Sequence, residues 1–442
     1  MQNEYIKTVK FGGSSLADAN QFKKVANIVL ADKTRRYVIP SAPGRRFDGD
    51  EKVTDMLYAC HALAVKGEKI DPIFDKICER YNSIIEGLGL ALSLDEEFEV
   101  IYNNISNGAS DSYAASRGEY LNGIILASYL GFDFVDAAKC IFFTDNKQLD
   151  SEKTNTALAA ELALHEYAVI PGFYGSMSDG SVITFSRGGS DITGSVVARA
   201  VEAELYENWT DVSGFLMADP RIVRNPSTID VITYHELREL AYMGAGVLHE
   251  DAIFPVRLSG IPINIRNTNR PEDPGTMIVP KAESRKTKNV ITGIAGRKGF
   301  SVITLEKDMM NSEIGFGRKL LSVLEDHSVS FEHLPSGIDT MSAIVSTHQL
   351  EGCRSEVMHE ICVACNPDTI YIEDGLALIA VVGRGMVQSP GTAARLFSAV
   401  ASAGINIRMI DQGSSEFNII LSVEESDFEA ALKAIYNEFV KE

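Results

Sequence analysis

The chain has 442 residues, of which 45% are hydrophobic and 23% are charged, and its formal net charge is -20. This length predicts two or three domains, and the composition is that of an ordinary globular protein. So acidic a surface repels phosphate backbones and anionic lipids, which argues against a general role in binding nucleic acids or membranes. The N-terminal residues lack a continuous apolar segment and the six cysteines are scattered, so we expect a cytoplasmic protein without a membrane span.

Cys362 and Cys365 form a single C-x-x-C pair within an apolar stretch. Zinc sites need four ligands, and the eight histidines show no spacing typical of metal ligands. We therefore interpret the pair as two thiols packed on a helix, and we expect no metal bound by the protein itself.

The N-terminal part of the chain alternates between strand and helix patterns. Residues 5–11 predict a strand, the sequence Gly-Gly-Ser-Ser at 12–15 predicts a turn, and the amphipathic run from 16 to about 32 predicts a helix. A second short strand is expected at 37–41. Residues 50–110 are charged and helix-periodic, which indicates a helical insertion over one face of an α/β domain.

Strand patterns return after a predicted helix at 116–130 that carries an inward carboxylate. The expected strands span residues 140–145, 167–173, 181–185, 205–211 and 262–267. Helices lie between them, and such alternation indicates a largely parallel sheet covered by helices on both faces.

The C-terminal part repeats itself at an offset of 76 residues, after a polar stretch at 281–289 that is a suitable linker. Gly315 corresponds to Gly391 and Leu320 to Leu396, and the apolar strands agree as well. Each unit has the pattern β-α-β-β-α, which is typical of a ferredoxin-like unit of about 70 residues. A unit of this size is marginally stable alone, so two adjacent copies are expected to pair their edges.

The motif KFGGSS at residues 10–15 lies between the first strand and the first helix. Glycines let the backbone approach a phosphate closely, and a helix N-terminus presents N–H groups with a positive dipole. Lys10 precedes the glycines, so the motif is not a Walker P-loop. On local sequence alone, a tight turn in which Ser14 or Ser15 caps the helix fits equally well.

A second motif, SRGGSD at residues 186–191, also connects a strand to a helix. Arg187 is suited to a bidentate grip on a carboxylate, while Asp191 either caps the following helix or accepts from an ammonium group. Two such turns, each beside a cation, indicate a cleft for a nucleotide and a second anion. A third turn-rich segment, at residues 209–221, follows another strand at the edge where ligands bind in open α/β sheets.

These motifs, with Ser-Arg-Gly-Glu at 116–119 and VVGRGM at 381–386, occur in an order that resembles the aspartate kinases of the amino acid kinase family. The two C-terminal repeats resemble the paired ACT domains of those enzymes. The resemblance implies an amino acid kinase fold at 1–285 followed by ACT domains at 295–371 and 372–442. It also implies an enzyme that phosphorylates L-aspartate with ATP and Mg²⁺, the metal being held mainly by the nucleotide phosphates.

The resemblance further implies roles for individual residues. Lys10 and Asp191 would be the catalytic residues: Lys10 would bridge the attacking β-carboxylate and the γ-phosphate, and Asp191 would receive the α-ammonium group of the substrate. The backbone N–H groups of Gly12, Gly13 and Ser14 would cradle phosphate. Since a carboxylate is already a nucleophile, positioning and electrostatics suffice and no general base is required.

The remaining expected contacts hold the two substrates. Arg187 would clamp the α-carboxylate of aspartate, Glu119 would share its α-ammonium group, and Ser41 and Ser190 would be nearby polar contacts. The nucleotide would be held, besides Lys10 and the first turn, by Thr210, Asp211, Pro220 and Arg221.

Two positions depart from the family pattern. Many relatives have a lysine where this chain has Gly246, so one phosphate or ribose contact is in doubt here and ATP binding is expected to depend more on Arg221. The threonine that usually follows the second strand is absent from residues 41–45, and we assign its role to Thr54.

Two other functions fit parts of the sequence. One is another amino acid kinase, acting on glutamate or acetylglutamate, against which stand the two ACT repeats and the placement of Glu119. The other is a catalytically silent amino-acid sensor, which the presence of Lys10, Arg187 and Asp191 argues against.

The ACT resemblance implies feedback inhibition by an end product of lysine, threonine and methionine biosynthesis, of which the enzyme would catalyse the first step. The predicted effector site comprises Met310, Gly315, Phe316 and Glu332. The helix that follows Gly315 suits a carboxylate, and Glu332 suits a cationic side chain, which favours lysine over threonine. Paired repeats leave sheet edges to cover, so we expect a homodimer or homotetramer.

Overall fold

A computed structural model describes residues 5–186, 188–244, 254–280, 289–413 and 415–440. The chain forms two compact units. The first comprises Met1–Phe215, Thr228–Tyr234 and Val247–Glu283, and the second comprises Leu216–Ser227, His235–Gly246 and Ser284–Glu442. The second unit therefore includes two segments that precede the C-terminal repeats in the sequence. The predicted linker at 281–289 lies, except for its last residue, outside the described residues.

The first unit is built on an eight-stranded sheet with the order β3-β4-β2-β1-β7-β9-β10-β8. Neighbouring strands run parallel except β9 and β10, which are antiparallel, so the predicted parallel-rich sheet is confirmed. The strands are β1 (Lys7–Phe11), β2 (Arg35–Pro40), β3 (Asp133–Phe134), β4 (Ala168–Val169), β7 (Leu205–Thr210), β8 (Val231–Thr233), β9 (Ile263–Asn267) and β10 (Thr276–Val279), with a separate hairpin of β5 (Tyr174–Ser176) and β6 (Val182–Thr184).

Helices surround this sheet, and the predicted helical insertion forms three of them. Its apolar faces, which include Phe74, Tyr81 and Phe98, join one core with β1 and α1. The helices are α1 (Ala19–Leu30), α2 (Val53–Val65), α3 (Asp71–Leu88), α4 (Asp95–Ser106), α5 (Asp111–Leu130), α6 (Ser151–Leu162), α7 (Gly189–Ala200) and α9 (Phe254–Ser259).

The first helix begins later than the sequence predicted. Residues Gly13–Leu16 form a short 3₁₀ turn, and α1 begins only at Ala19, where the Asp18 side chain accepts from the Gln21 backbone N–H. The Ser15 hydroxyl instead lies 2.8 Å from the Thr268 hydroxyl. A helix capped by Ser14 or Ser15 is therefore wrong, because Asp18 is the better-placed acceptor.

The strand expected at 140–145 is also wrong. Phe142 forms only a single bridge to Ser176, and Phe143 a single bridge to Leu149. The backbone N–H of Thr144 bonds to the Gln148 carbonyl, so the chain reverses before a ladder can form. The apolar residues of this segment are buried in a turn, a burial that periodicity alone does not distinguish from a strand.

The second unit is built on a six-stranded sheet with the order β12-β13-β11-β14-β16-β15. Its pairs are all antiparallel, and its elements repeat as the sequence predicted. The elements are β11 (Gly293–Glu306), α10 (Phe316–Asp326), β12 (Phe331–His333), β13 (Thr340–Ser346), α11 (Arg354–Cys365), β14 (Thr369–Val382), α12 (Thr392–Ser402), β15 (Met409–Asp411), β16 (Asn418–Glu424) and α13 (Phe428–Val440).

Two strands are shared between the repeats. β11 and β14 each have 14 residues and pair along their length, with an irregularity around Gly299. β13 pairs with the C-terminal half of β11, whereas β16 pairs with the C-terminal half of β14. The N-terminal half of β11 pairs with the C-terminal half of β14, and the N-terminal half of β14 pairs with the C-terminal half of β11. Each repeat therefore depends on a strand of the other repeat, which explains why one unit alone would be only marginally stable.

Two segments of the second unit precede the C-terminal repeats in the sequence and contact those repeats through hydrogen bonds and an ion pair. α8 (Tyr234–Tyr242) carries Glu236, whose buried carboxylate accepts from the Thr292 hydroxyl over 2.6 Å and pairs with Arg384 over 2.6 Å. The Ser227 backbone N–H donates to the Tyr436 hydroxyl over 2.8 Å. Within the described part of the chain, no helix combines the length and apolar character that a bilayer crossing requires.

Candidate active site

The loops that follow β1 and β2 are joined at the carboxyl edge of the first sheet. The Ser41 backbone N–H donates to the Phe11 carbonyl over 3.0 Å, and the Gly44 N–H donates to the Gly13 carbonyl over 2.9 Å. A Cβ atom on Gly13 would lie 2.8 Å from the Ala42 carbonyl oxygen, so only glycine fits there. The two loops therefore act as one rigid edge beside the sheet.

The predicted phosphate turn differs in one detail from expectation. The Gly12 N–H donates to the Trp209 carbonyl over 3.0 Å, because the parallel pairing of β1 with β7 continues one residue past Phe11. This N–H is not available to a phosphate in the present arrangement, and the prediction for Gly12 is corrected accordingly. The roles of the Gly13 and Ser14 N–H groups stay predictions.

The second predicted turn leads into α7. Gly188 is the residue before the helix, with a left-handed φ of 61°, and none of the described side chains caps this end. Asp191 instead forms an ion pair with Lys10, with 2.6 Å between Oδ1 and Nζ. Of the two roles considered for Asp191, the cap is wrong; the carboxylate contacts the Lys10 ammonium group, and its role toward the substrate ammonium group stays a prediction. Arg187 lies outside the described residues.

The two turns and α5 enclose a cavity of about 200 Å³. This volume is below the range of about 300–1,000 Å³ that holds drug-sized ligands, so the cavity suits a small metabolite. Six of the predicted side chains line it together with two glycines of the second turn and one aromatic ring. The lining residues are Lys10, Ser41, Thr54, Glu119, Phe173, Gly188, Gly189, Ser190 and Asp191.

Among the described residues that line the cavity, Lys10 supplies the positive charge. The residue is only 7% exposed. Its ammonium group contacts Asp191 and lies 3.4 Å from the Asn208 side-chain oxygen. A buried ammonium group between two oxygen acceptors is held in direction as well as in place.

Glu119 is a buried carboxyl group whose Oε2 atom has no hydrogen-bond partner among the residues that the structure describes. Burial raises the pKa of Glu119 to about 8, and the Ala42 backbone N–H opposes this shift only in part. Buried polar atoms normally have partners, so an unpaired oxygen that lines a cavity indicates a group that a ligand completes. A cationic group is the natural complement.

The polar walls of the cavity are positioned by neighbouring elements. The Asn122 side-chain amide on α5 donates to the Ser41 carbonyl over 2.6 Å, which fixes the loop after β2. Thr54 lies in the first turn of α2. Ser190 packs so closely on Gly172 that a Cβ atom there would meet its hydroxyl at 2.6 Å.

Phe173 lines the cavity but was missed by the sequence reasoning. Its backbone is left-handed, with a φ of 79°, which is unusual for an aromatic residue. Its N–H donates to the Thr193 hydroxyl over 3.0 Å, and a Cβ atom on Gly189 would meet its ring at 2.4 Å. The preceding Pro-Gly pair signals a turn here but does not reveal that Phe173 lines the cavity.

Residues 6–267 match the sequence profile described as the amino acid kinase family. The chain belongs to the amino acid kinase family. Residues 379–439 match the profile of the ACT domain. Aspartokinase 3 of Bacillus subtilis is 39% identical over 450 residues, which cover 98% of this chain and 98% of that protein.

Solved structures of aspartate kinases from this family have the same fold. The aspartate kinase of Clostridium acetobutylicum has a TM-score of 0.91 and 53% identity, covering 99% of this chain and 100% of that one. Aspartokinase III of E. coli in complex with aspartate and ADP has a TM-score of 0.72 and 25% identity, over 99% and 100% of the two chains. Its complex with lysine and aspartate also has a TM-score of 0.72, with 26% identity over 98% and 99%. This amino acid kinase is therefore a phosphotransferase of the aspartate kinase type.

The predicted nucleotide residues of this amino acid kinase fall into both compact units. Thr210 ends β7, and its hydroxyl donates to the Asp211 carboxylate over 3.2 Å. Pro220 and Arg221 belong to the second unit. There the Arg221 guanidinium, 87% exposed, pairs with Asp219 over 2.6 Å. The assignment of all four residues to the nucleotide stays a prediction, and Gly246 lies outside the described residues.

The predicted effector residues all lie in the first C-terminal repeat. Met310 and Phe316 are buried in its apolar core, so their side chains serve packing and only their backbone is available to a ligand. Gly315 precedes α10 with a left-handed φ of 83°.

Glu332 is engaged within the second unit. Its carboxylate accepts from the Tyr242 hydroxyl over 2.5 Å and lies 3.4 Å from the Arg297 guanidinium. Burial, followed by the bond to Glu332, raises the pKa of Tyr242 to about 12. The Glu332 carboxylate is therefore not simply solvated, because it already has two partners within the second unit.

Proposed function

We propose that the cavity between β1, α5 and α7 binds L-aspartate, and that the enzyme transfers the γ-phosphoryl group of ATP to the β-carboxylate of this substrate. The observation that carries the proposal is that one small cavity is lined by a buried ammonium group, Lys10, and by a buried carboxyl group, Glu119, whose Oε2 atom has no partner among the described residues. An amino acid carries both complementary charges. Mg²⁺ enters with the nucleotide as Mg-ATP and is held mainly by its phosphates.

In this proposal, the side chains of the cavity contact different groups of L-aspartate. Glu119 and Asp191 receive the α-ammonium group, and Ser41, Thr54 and Ser190 supply neutral polar contacts. Arg187 is assigned to the α-carboxylate on the strength of the sequence motif. Lys10 bridges the β-carboxylate and the γ-phosphate, where it offsets the repulsion between two anions in the transition state.

The nucleotide is assigned to the loop after β1 and to the residues that follow β7. The Gly13 and Ser14 N–H groups face the phosphates in this proposal, and Thr210 and Asp211 contact the nucleoside. Pro220 and Arg221 are assigned to the nucleotide from the sequence motif. The complex of the E. coli enzyme with aspartate and ADP supports a shared site for an amino acid and a nucleotide.

The substrate is tested by ADP release with L-aspartate, with L-glutamate and without an amino acid. We expect release that depends on L-aspartate, since aspartokinase 3 of Bacillus subtilis and the aspartate kinase of Clostridium acetobutylicum are similar to nearly the whole chain. Preferential turnover of L-glutamate would assign the site to a different amino acid kinase. Absence of turnover with either amino acid would favour a sensor.

We further propose that the reaction is the first step of lysine, threonine and methionine biosynthesis and that lysine is the feedback inhibitor. A lysine complex of the E. coli enzyme supports this choice. In this chain, an effector ammonium group at Glu332 would compete with the Tyr242 hydroxyl and the Arg297 guanidinium. Lysine binding would then release the end of α8 from β12, and a ligand shifts an equilibrium only through such differential contacts.

Two substitutions at this contact are expected to act in opposite directions. Glu332→Ala should raise the lysine concentration that gives half-inhibition by about tenfold or more, since a charged contact is lost. Tyr242→Phe should lower it, because Glu332 is freed from a competing donor. The measurement is inhibition by lysine, with each variant normalised to its own uninhibited rate.

Glu325→Ala, on the exposed face of α10, is the matched control and should leave inhibition unchanged. Unaltered lysine inhibition in Glu332→Ala would remove Glu332 from the effector site.

We also propose that the enzyme is a homodimer or homotetramer that assembles through its C-terminal repeats. The edge strands β12 and β15 each have three residues. In loops of the first C-terminal repeat, Met309, Ile314 and Ile338 are 71%, 99% and 68% exposed. Open sheet edges and exposed apolar side chains favour association, and sedimentation velocity distinguishes the two assemblies.

A further inference from the structure

The buried amide of Asn208 connects the two charged groups of the candidate active site. Asn208 lies on β7 directly opposite Lys10 on β1 in the parallel register, and it is 4% exposed. Its Nδ2 atom donates to Asp191 Oδ1 over 2.8 Å, and its Oδ1 atom lies 3.4 Å from Lys10 Nζ. With the Lys10–Asp191 ion pair, these contacts form a closed ring of three side chains.

β7 holds Asp191 at two points from one face. Residues two apart on a strand point to the same side of a sheet, so Tyr206 and Asn208 both face α7. The Tyr206 hydroxyl donates to the Asp191 backbone carbonyl over 3.2 Å. A Cβ atom on Gly194 would meet that hydroxyl at 2.4 Å, which shows how closely α7 approaches the strand. Asp191 is therefore fixed through both its backbone and its side chain.

The reaction requires Lys10 to change partners. In the present arrangement its charge is offset by Asp191, yet in the transition state that charge has to lie between the β-carboxylate and the γ-phosphate. The carboxylate of Asp191 has to stay behind to receive the substrate ammonium group. An uncharged group that bonds to both Lys10 and Asp191 can let Lys10 move to the substrate while Asp191 stays in place.

We propose that Asn208 is a positioning residue for phosphoryl transfer: its amide nitrogen retains Asp191 while its amide oxygen guides Lys10 from Asp191 to the substrate. The inference rests on the proposed function of the cavity. An amide suits the position because it is both a donor and an acceptor. A leucine would leave Lys10 closed on Asp191, and an aspartate would repel Asp191 and retain Lys10 by its charge.

The test compares Asn208→Leu and Asn208→Asp with the wild-type enzyme. We expect kcat to fall by about 10–100-fold in both variants, as for the loss of hydrogen bonds to charged groups, and the KM for aspartate to rise because Asp191 is no longer retained, while the KM for ATP changes by less than about threefold. Asn264→Leu, an asparagine on the neighbouring strand β9, is the matched control for the loss of an amide and should keep its kcat. If either Asn208 variant keeps a kcat within about threefold of wild type, the proposal is overturned.

A second readout does not depend on turnover. Peptide mass spectrometry follows the rate at which an amine-selective acylating reagent modifies Lys10. We expect this rate to change several-fold in Asn208→Leu and to stay at the wild-type value in Asn264→Leu. Equal rates in wild type and Asn208→Leu overturn the proposal. If the wild-type enzyme shows no aspartate-dependent turnover, the proposed function fails, and the acylation rates still decide whether Asn208 positions Lys10.

Discussion

Lys10→Ala is expected to lower kcat by about 10²–10³ or more while the enzyme still binds aspartate, because the lost charge acts mainly in the transition state. In the ground state, Lys10 is paired with Asp191 over 2.6 Å, so its ammonium group is already in the cavity before substrate arrives. The measurement is steady-state turnover together with calorimetric binding of aspartate. The loss should appear in kcat and not in the dissociation constant of aspartate.

Lys23→Ala is the matched control, since Lys23 is exposed on α1 and makes no contact with the cavity. We expect it to behave as wild type. A near-normal kcat in folded Lys10→Ala would remove Lys10 from the mechanism. A large loss of aspartate binding with unchanged kcat would instead make Lys10 a substrate anchor.

Glu119→Gln is expected to raise the KM for aspartate by about 10²-fold with little change in the KM for ATP, since it removes a buried carboxylate from the ammonium site. The substitution keeps the size of the side chain. Glu119 lies on α5 and, of the residues assigned to the nucleotide, only Lys10 lines the same cavity among the described residues. An equal rise in both KM values would contradict this assignment.

The raised pKa of Glu119 predicts how aspartate binding depends on pH. Because burial raises the pKa of Glu119 to about 8, the carboxyl group of the free enzyme is mostly protonated at lower pH. The substrate ammonium group requires the ionised form, so binding releases a proton. We expect kcat/KM for aspartate to rise with pH by up to about tenfold per unit below pH 8 and to level off above it. Glu119→Gln should abolish this rise.

The raised pKa of Glu119 also determines how the free energy of unfolding depends on pH. The folded protein retains the proton of Glu119 between the ordinary pKa of 4.5 and about 8, where the unfolded chain has lost it. The free energy of unfolding therefore falls as pH rises through this window. Glu119→Gln should raise Tm more at pH 8 than at pH 5 in the absence of aspartate. The same Tm difference at both pH values would contradict the buried, protonated state.

Much of the fold was predictable because its signals are local. Strand–turn–helix alternation around KFGGSS and SRGGSD indicates a parallel sheet whose loops gather at one edge, and the structure confirms that sheet. The repeat offset that relates Gly315 to Gly391 reappears between β11 and β14, which begin at Gly293 and Thr369. Periodicity failed at residues 140–145, where burial without a ladder imitates a strand.

The tertiary contacts of the site were not predictable in the same way. Asn208 and Lys10 are far apart in the sequence and become neighbours only through the pairing of β1 with β7. Phe173 reaches the cavity through a left-handed backbone that its residue type does not favour. The Gly12 N–H was predicted to bind phosphate but donates to the Trp209 carbonyl, because the β1–β7 pairing continues past the end of β1. In each case, a partner that is distant in the sequence decides what a local motif does.

The reaction proposed for this site forms an acyl phosphate on the β-carboxylate of L-aspartate, and this product can be trapped chemically. Hydroxylamine converts an acyl phosphate into a hydroxamate at the same carbon. Incubation of the enzyme with ATP, Mg²⁺, L-aspartate and hydroxylamine should therefore yield L-aspartate β-hydroxamate, identified by mass spectrometry against both isomers, and Lys10→Ala should yield almost none. Formation of the α-hydroxamate, or ADP release without any hydroxamate, would contradict the account.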